Sequence, residues 1–276
     1  MTYDLDIKKY RYKKENFCNY KSVFNVVEYT KVVNIIKKVY KKDFINEKCV
    51  RLNKCNFDAI DDLINLSISR LDFYDFLLST YLIQNFEYIY NNCISEERVL
   101  IEKVKSIDVI NITTLNGLLD CEYLSNILAV SLILLDKNNN SLLVFRNNNN
   151  GISDGFLSTT VTGSLDEVDY NSDDPIINCA KRELKEELNY DIQSDNLVFS
   201  KIVCGYKKKQ PVAIVNGYVD DIDNVICNFN NEFNIENRDY IKCKKDELTN
   251  FLNNKAYSMT EACESHLLGV YNGSLI

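Results

Sequence analysis

The segment DDPIINCAKRELKEELNYDI, residues 173–192, sets three carboxylates, Glu183, Glu186 and Glu187, at i, i+3 and i+4, with Arg182 beside the first. At roughly 100° per residue a helix gathers them on one arc, next to an apolar stripe of Ile177, Ala180, Leu184 and Leu188. Like charges so spaced repel by about a few tenths of a kcal/mol per pair in an isolated helix. Arg182, four residues before Glu186, offsets part of this, and a divalent cation would offset far more. Oxygen-only ligands suit Mg²⁺ or Mn²⁺. The plain alternative is a solvated helical face, and the fragment alone does not separate the two.

The flanking residues predict where such a helix begins and ends. Asp174 is a good N-cap, and Pro175 suits the first helical position, where its missing N–H costs nothing. Asn189 tolerates the left-handed conformation that stops a helix. Upstream, β-prone runs at 127–135 and 142–145 flank the turn-forming cluster 136–140 and predict a β-hairpin. A third run, FLSTTVTGS, leads into the acidic loop before the helix. The runs LVFSKIVCGY, QPVAIVNGYV and RDYIKC read as further strands, and KKDELTNFLNNKAY as a helix. Strands on both sides of one amphipathic helix indicate a mixed α/β sandwich.

With these elements around it, RELKEELNY resembles the second half of the Nudix hydrolase signature, G-x5-E-x7-R-E-U-x-E-E-x-G-U, where U is a bulky aliphatic residue. Arg182, Glu183, Leu184, Glu186 and Glu187 stand at R, E, U, E and E. Gly163 lies 19 residues before Arg182 instead of 14, so the intervening loop is five residues longer. Asp174, eight residues before Arg182, stands at the isolated Glu; Asn189 and Tyr190 replace the final Gly and aliphatic. The resemblance implies a Nudix-like α/β/α sandwich with a mixed sheet in an α/β chain.

It also implies Mg²⁺- or Mn²⁺-dependent cleavage of a diphosphate linkage in a small nucleoside diphosphate derivative. By position, Glu186 and Glu187 are metal ligands, Glu183 ligates metal or helps deprotonate water, Arg182 orients the glutamates, and the Gly163 carbonyl adds a metal contact. Some relatives use a later acid as base, and Glu232 and Glu236 are the candidates here. Phe156, Tyr170, Tyr206 and Tyr218 offer faces for a nucleobase, although aromatics on strands more often pack. Lys207, Lys208 and Lys209 are available to phosphates, and Asp166 and Glu167 to a further cation; each has an ordinary reading as solvated loop charge.

Composition removes other chemistries. The only histidine is His266, which leaves no Ser-His-Asp or two-histidine metal site without it. The ten cysteines include no C-x-x-C pair and read as reduced thiols of a cytoplasmic protein. The longest apolar run, ILAVSLILL, is far short of the roughly 20 residues of a membrane helix, so no membrane partner is expected.

Net charge is −8, split as +8 over residues 1–54 and −16 over the remainder. The acidic part argues against a broad nucleic-acid surface. Residues 1–118, with SVFNVVEYTKVVNIIKKVY and a similar texture over 57–92, read as a mainly helical N-terminal region preceding a hydrolase domain over 119–276. Two other readings remain: a non-catalytic nucleotide-sensing module that controls the N-terminal region, and a cap-processing hydrolase whose basic arm guides RNA. Retention of all three glutamates favours the enzyme. The oligomeric state is not legible.

Overall fold

Ile64, Leu66 and Ile68 alternate with Asn65, Ser67 and Ser69, a period of two that belongs to a strand, not a helix. In the computed structural model, which describes residues 9–109, 111–112, 114–146, 156–204, 209–227, 237–244, 247 and 258–271, these residues lie in β3 (Leu63–Asp72). All three apolar side chains are buried. β3 pairs antiparallel with β2 (Lys48–Asp58) and parallel with β1 (Tyr10–Lys14), in the order β1-β3-β2. The turn from β2 to β3 is nucleated by Asp58, whose Oδ1 accepts from the amide of Ile60 at 3.0 Å, and Asp62 takes a positive φ of 49°.

The N-terminal region is therefore not mainly helical. Its helices, among them Val26–Tyr40 with an Asn25/Glu28 capping box, accompany a sheet. The helical reading of 57–92 is right only from Phe73 onward, where a run of short helical segments begins. The chain divides into two compact units, one of Lys9–Leu128 with Cys204–Pro211, the other holding Ala129–Val203 and Val212–Ile276. No helix among the described residues is long and apolar enough to cross a membrane.

The second unit carries a seven-stranded mixed sheet. β4 (Ala129–Asp136) and β5 (Ser141–Arg146) form the hairpin, and β6 (Leu157–Thr159) and β7 (Val161–Ser164) add to β5 and β4. β8 (Leu197–Cys204), β9 (Pro211–Val219) and β10 (Asn237–Cys243) complete the order β10-β5-β4-β9-β8. β9 runs parallel to β4, with Ala129 opposite Val212 and Asp136 opposite Val219. Most of the expected helix KKDELTNFLNNKAY lies outside the described residues.

Among the described residues a helix packs on each face. Gly163 stands opposite Val130 in an antiparallel pair, where partners share a face, and Glu183 of the helix Pro175–Leu188 lies against Gly163. Ile133 and Leu135 point the other way. They pack with Cys263 and Leu267 of the helix Glu261–Tyr271.

His266 on that second helix is fully buried, with Nε2 2.5 Å from Asn216 Oδ1. Its Nδ1 has no hydrogen-bond partner among the described residues, so a proton there would be a buried donor without an acceptor. Burial, reinforced by the Lys201 charge, pushes the imidazole pKa down to about 3. The unfolded chain protonates this group near pH 6.5, so between about pH 6.5 and 3 the unfolded state binds more protons and stability is lost as pH falls. The slope attributable to His266 reaches about 1.4 kcal/mol per pH unit. Urea unfolding at pH 7 and pH 5 should show a larger drop for the native protein than for His266→Gln; equal drops would refute the assignment.

Candidate functional site

The helix Pro175–Leu188 is defined by local chemistry at both ends. Asp174 Oδ1 accepts from the Ile177 amide at 3.2 Å, Pro175 opens the first turn, and Asn189 closes the last at φ 50°. Residues Ile176, Ile177, Ala180, Leu184 and Leu188 are buried, so the rotation of the helix about its axis is set by its apolar stripe. That rotation presents Glu183 and Glu187 to β7.

Arg182 is the hub of the arrangement. Its Nη1 donates to Glu183 Oε1 at 2.9 Å and to Glu186 Oε2 at 3.1 Å. Nη2 donates to Asp169 Oδ2 at 2.8 Å and to the Ser164 carbonyl at 3.1 Å. Nε is 3.5 Å from Asp166 Oδ2, an ion-pair distance without a hydrogen bond. Burial by itself would lower the guanidinium pKa, but the Asp169 hydrogen bond and the surrounding negative charge outweigh it and raise the value. Arg182 is a fixed cation that holds two glutamates in place.

Asp169, not singled out in the sequence, is the acid most firmly tied to Arg182. It is fully buried, and its Oδ1 accepts from Asn178 Nδ2 at 2.8 Å. Its Oδ2 also accepts from the Asp166 amide at 3.1 Å, while Asp166 Oδ1 accepts from the Asp169 amide at 3.0 Å. This reciprocal pair caps the short helix Glu167–Asn171. Asp169 lies six residues after Gly163, the spacing written G-x5-E, so the five additional residues fall between this acid and Arg182. Asp174, which by its distance from Arg182 stands at the isolated Glu, is instead the helix N-cap. The signal that finds Asp169 is a count forward from Gly163 instead of backward from Arg182.

Gly163 is needed where it stands. A Cβ at this position would overlap Glu183 Oε1, so only glycine lets the carboxylate rest against the strand. Glu187 is only 6% exposed, and its Oε1 accepts from the Thr162 amide at 3.3 Å. Thr162 Oγ1 in turn accepts from Arg146 Nη1 at 2.8 Å. Glu186 has the most exposed of the three glutamate side chains that follow Arg182. Cys179, buried beneath Arg182, is held protonated: burial, then the charges of Asp169 and Glu183, raise its pKa well above the ordinary thiol value.

The structure thus brings together Gly163, Arg182, Glu183, Glu186 and Glu187, with Asp166 and Asp169 also paired to Arg182. Glu183 and Glu186 face Arg182, and among the described residues no group of three or more His, Cys, Asp or Glu side chains is assembled to hold an ion. The donors themselves are hard carboxylate oxygens, which suit Mg²⁺ or Mn²⁺. Four carboxylates, Asp166, Asp169, Glu183 and Glu186, lie about the Arg182 guanidinium and leave a negative excess there, although no ion position is assembled among them.

The other candidates are more scattered. Phe156 is 36% exposed, and its carbonyl accepts from the Arg146 amide at 3.0 Å. Tyr218 stands opposite Leu135, five positions along β4 from the Val130–Gly163 pair, or about 17 Å away at roughly 3.3 Å per residue. It lines a separate cavity of about 490 Å³ with Tyr190, Asp136 and Asp220. Tyr170 is buried. Lys209 is also buried and donates to the Ile112 carbonyl at 2.7 Å. Tyr206, Lys207, Lys208, Glu232 and Glu236 lie outside the described residues.

Solved structures resemble the chain in fold over about half of its length. A MutT protein from Methanosarcina mazei Go1 is 15% identical with a TM-score of 0.38, over 53% of this chain and 94% of its own. A Nudix hydrolase from Nitrosomonas europaea is 16% identical with a TM-score of 0.38, over 53% and 88%. A Nudix hydrolase from Alicyclobacillus acidocaldarius is 10% identical with a TM-score of 0.40, over 53% and 91%. No protein-family model matches the sequence, and no curated protein matches it.

Proposed function

We propose that this chain is a divalent-cation-dependent pyrophosphohydrolase of the Nudix type, cutting a diphosphate linkage in a small nucleoside diphosphate derivative. The observation that carries the reading is the negative excess around Arg182: Glu183 and Glu186 of the helix and Asp166 and Asp169 before it lie at ion-pair distance from the guanidinium, while Glu187 of the same helix is held by the Thr162 amide. A cation held there would neutralise diphosphate oxygens and make a bound water more acidic.

In this reading Glu187 and Glu186 hold Mg²⁺ or Mn²⁺, and Glu183 adds a ligand or takes a proton from water. Gly163 keeps the strand close enough for its carbonyl to contribute. Asp169 fixes Arg182, which in turn sets the directions of Glu183 and Glu186. Glu232 and Glu236 remain candidates for a base.

A second reading, a nucleotide-sensing module without turnover, is favoured by the ties of Glu183 and Glu186 to Arg182 in place of a shared ion position. The two separate in one assay. The protein is incubated with a panel of nucleoside diphosphate sugars, dinucleoside polyphosphates and ADP-ribose in Mg²⁺, Mn²⁺ or EDTA, and products are resolved by chromatography. Turnover with either cation that vanishes in EDTA is expected. Nucleotide binding without product under every condition would favour the sensor.

A further inference from the structure

Arg51 of β2, in the first unit, is only 1% exposed, yet among the described residues no carboxylate pairs with it. Its Nη1 donates to Asn53 Oδ1 at 2.8 Å and its Nη2 to the Leu124 carbonyl at 3.3 Å, while Nε has no hydrogen-bond partner. A guanidinium keeps its proton in a protein, and a buried charge is costly unless an anion faces it. Burial pushes the Arg51 pKa down, and the groups whose charge opposes this are Cys18, Cys121 and Tyr20. Tyr20 does not serve, because burial and then the Asp75 charge raise its phenol far above the ordinary range. The two thiols remain. The Leu124 amide donates to the Cys121 carbonyl at 3.3 Å, so the carbonyl that holds Arg51 and Cys121 belong to one turn. The segment between β1 and the helix Val26–Tyr40 lies on this turn, with the Lys21 amide donating to the Glu122 carbonyl at 2.7 Å and Lys21 Nζ 2.7 Å from Glu122 Oε2. In that segment the half-buried Cys18 packs on the cluster of Cys49, Leu71 and Ile127, and its Sγ accepts from the Tyr20 amide at 3.4 Å. A guanidinium and an amide give this sulfur the electropositive, partly open surroundings of a reactive thiol.

We propose that Cys18 is a modification site, oxidised by hydrogen peroxide to a sulfenic acid in the field of the buried Arg51. In this step the Cys18 sulfur attacks one peroxide oxygen, and the S–O bond forms as the O–O bond breaks. The sulfur gives two electrons to the peroxide, and the departing hydroxide leaves as water with the proton of the thiol. The product carries an oxygen acceptor that the thiol lacks, which matches the unpartnered N–H of Arg51. Other sulfurs are poorer candidates. Burial raises the pKa of Cys55, Cys93, Cys179, Cys243 and Cys263, which keeps them protonated and slow to react. Cys227 is exposed. Exposure alone would make Cys227 react first, whereas the Arg51 cation favours Cys18.

The test treats the full chain with hydrogen peroxide in the presence of dimedone, a carbon nucleophile that captures sulfenic acids, and locates the products by peptide mass spectrometry. Cys18 should be oxidised at least about 10-fold faster than Cys227, since a neighbouring opposite charge shifts ionisation by a unit or more and the rate follows the thiolate fraction. A dimedone adduct on Cys18 supports the inference. A Cys18–Cys121 linked peptide also supports it, provided that Cys121→Ser converts the link to the Cys18 adduct, because the disulfide then forms by attack of the second thiol on the sulfenic acid with loss of water. Arg51→Met should slow oxidation of Cys18 about 10-fold and leave Cys227 unchanged. An unchanged Cys18 rate in folded Arg51→Met would overturn the inference, as would oxidation of Cys227 ahead of Cys18 in the native protein. If Arg51→Met does not fold, the order of oxidation in the native protein decides by itself.

Discussion

Glu187→Gln should lower the turnover of any diphosphate substrate at least about 100-fold while leaving the fold intact. The substitution removes one charge and almost no volume. The Gln carbonyl can still accept from the Thr162 amide, the bond that seats Glu187 at 6% exposure. Relief of repulsion with Glu183, four residues earlier, is worth about a few tenths of a kcal/mol and favours the variant. Stability measured by urea unfolding should therefore change little. Loss of even an outer partner of a metal ligand typically costs about 10- to 100-fold in affinity or activity, so loss of a ligand should cost at least the upper figure. The check is kcat/KM at several Mg²⁺ concentrations, on whichever substrate the native protein turns over. Near-native activity in a folded variant would mean that the chemistry lies elsewhere.

Asp169→Ala should be the most destabilising single change at the site. It removes the buried partner of Arg182 at 2.8 Å and leaves Asn178 Nδ2 without its acceptor. Breaking a buried ion pair costs about 3–5 kcal/mol. The Arg182 side chain keeps 21% of its exposure, so the lower end of that range applies. Asp174→Ala, which removes only the N-cap bond to Ile177, should cost about 1 kcal/mol. The comparison identifies which acid serves Arg182. If Asp174→Ala proved the costlier change in urea unfolding, Asp169 would not be the acid that fixes the guanidinium.

The readable parts of this molecule are those governed by neighbours in sequence. Asp174, Pro175 and Asn189 bound the helix through bonds that span at most five residues, and the hairpin of β4 and β5 turns on a cluster of Asp and Asn. Asp169 is harder to find because its partner is 13 positions away and the intervening residues have no fixed length. The helical expectation for the N-terminal region fails for a different reason. The window 57–92 joins a strand of period two to the helical segments after Phe73, and the second pattern masks the first. The parallel pairing of β1 with β3 joins residues more than 50 positions apart, which no local pattern announces. The Arg146–Thr162–Glu187 chain is hidden for the same reason, since it needs β5, β7 and the helix in place together.

The bond between Asp169 and Arg182 also acts as a bypass around residues 170–181. With the ring closed chemically at one point and the helix started independently by Asp174, the chain at Asp173, between the last bond to Asp169 and that cap, can change length at low cost. Lengthening such a loop twofold adds only about 0.6 kcal/mol of closure entropy. This makes the exposed Asp173 a natural place to graft a fluorophore-bearing peptide, past Ser172, whose amide and hydroxyl both donate to the Asp169 carbonyl.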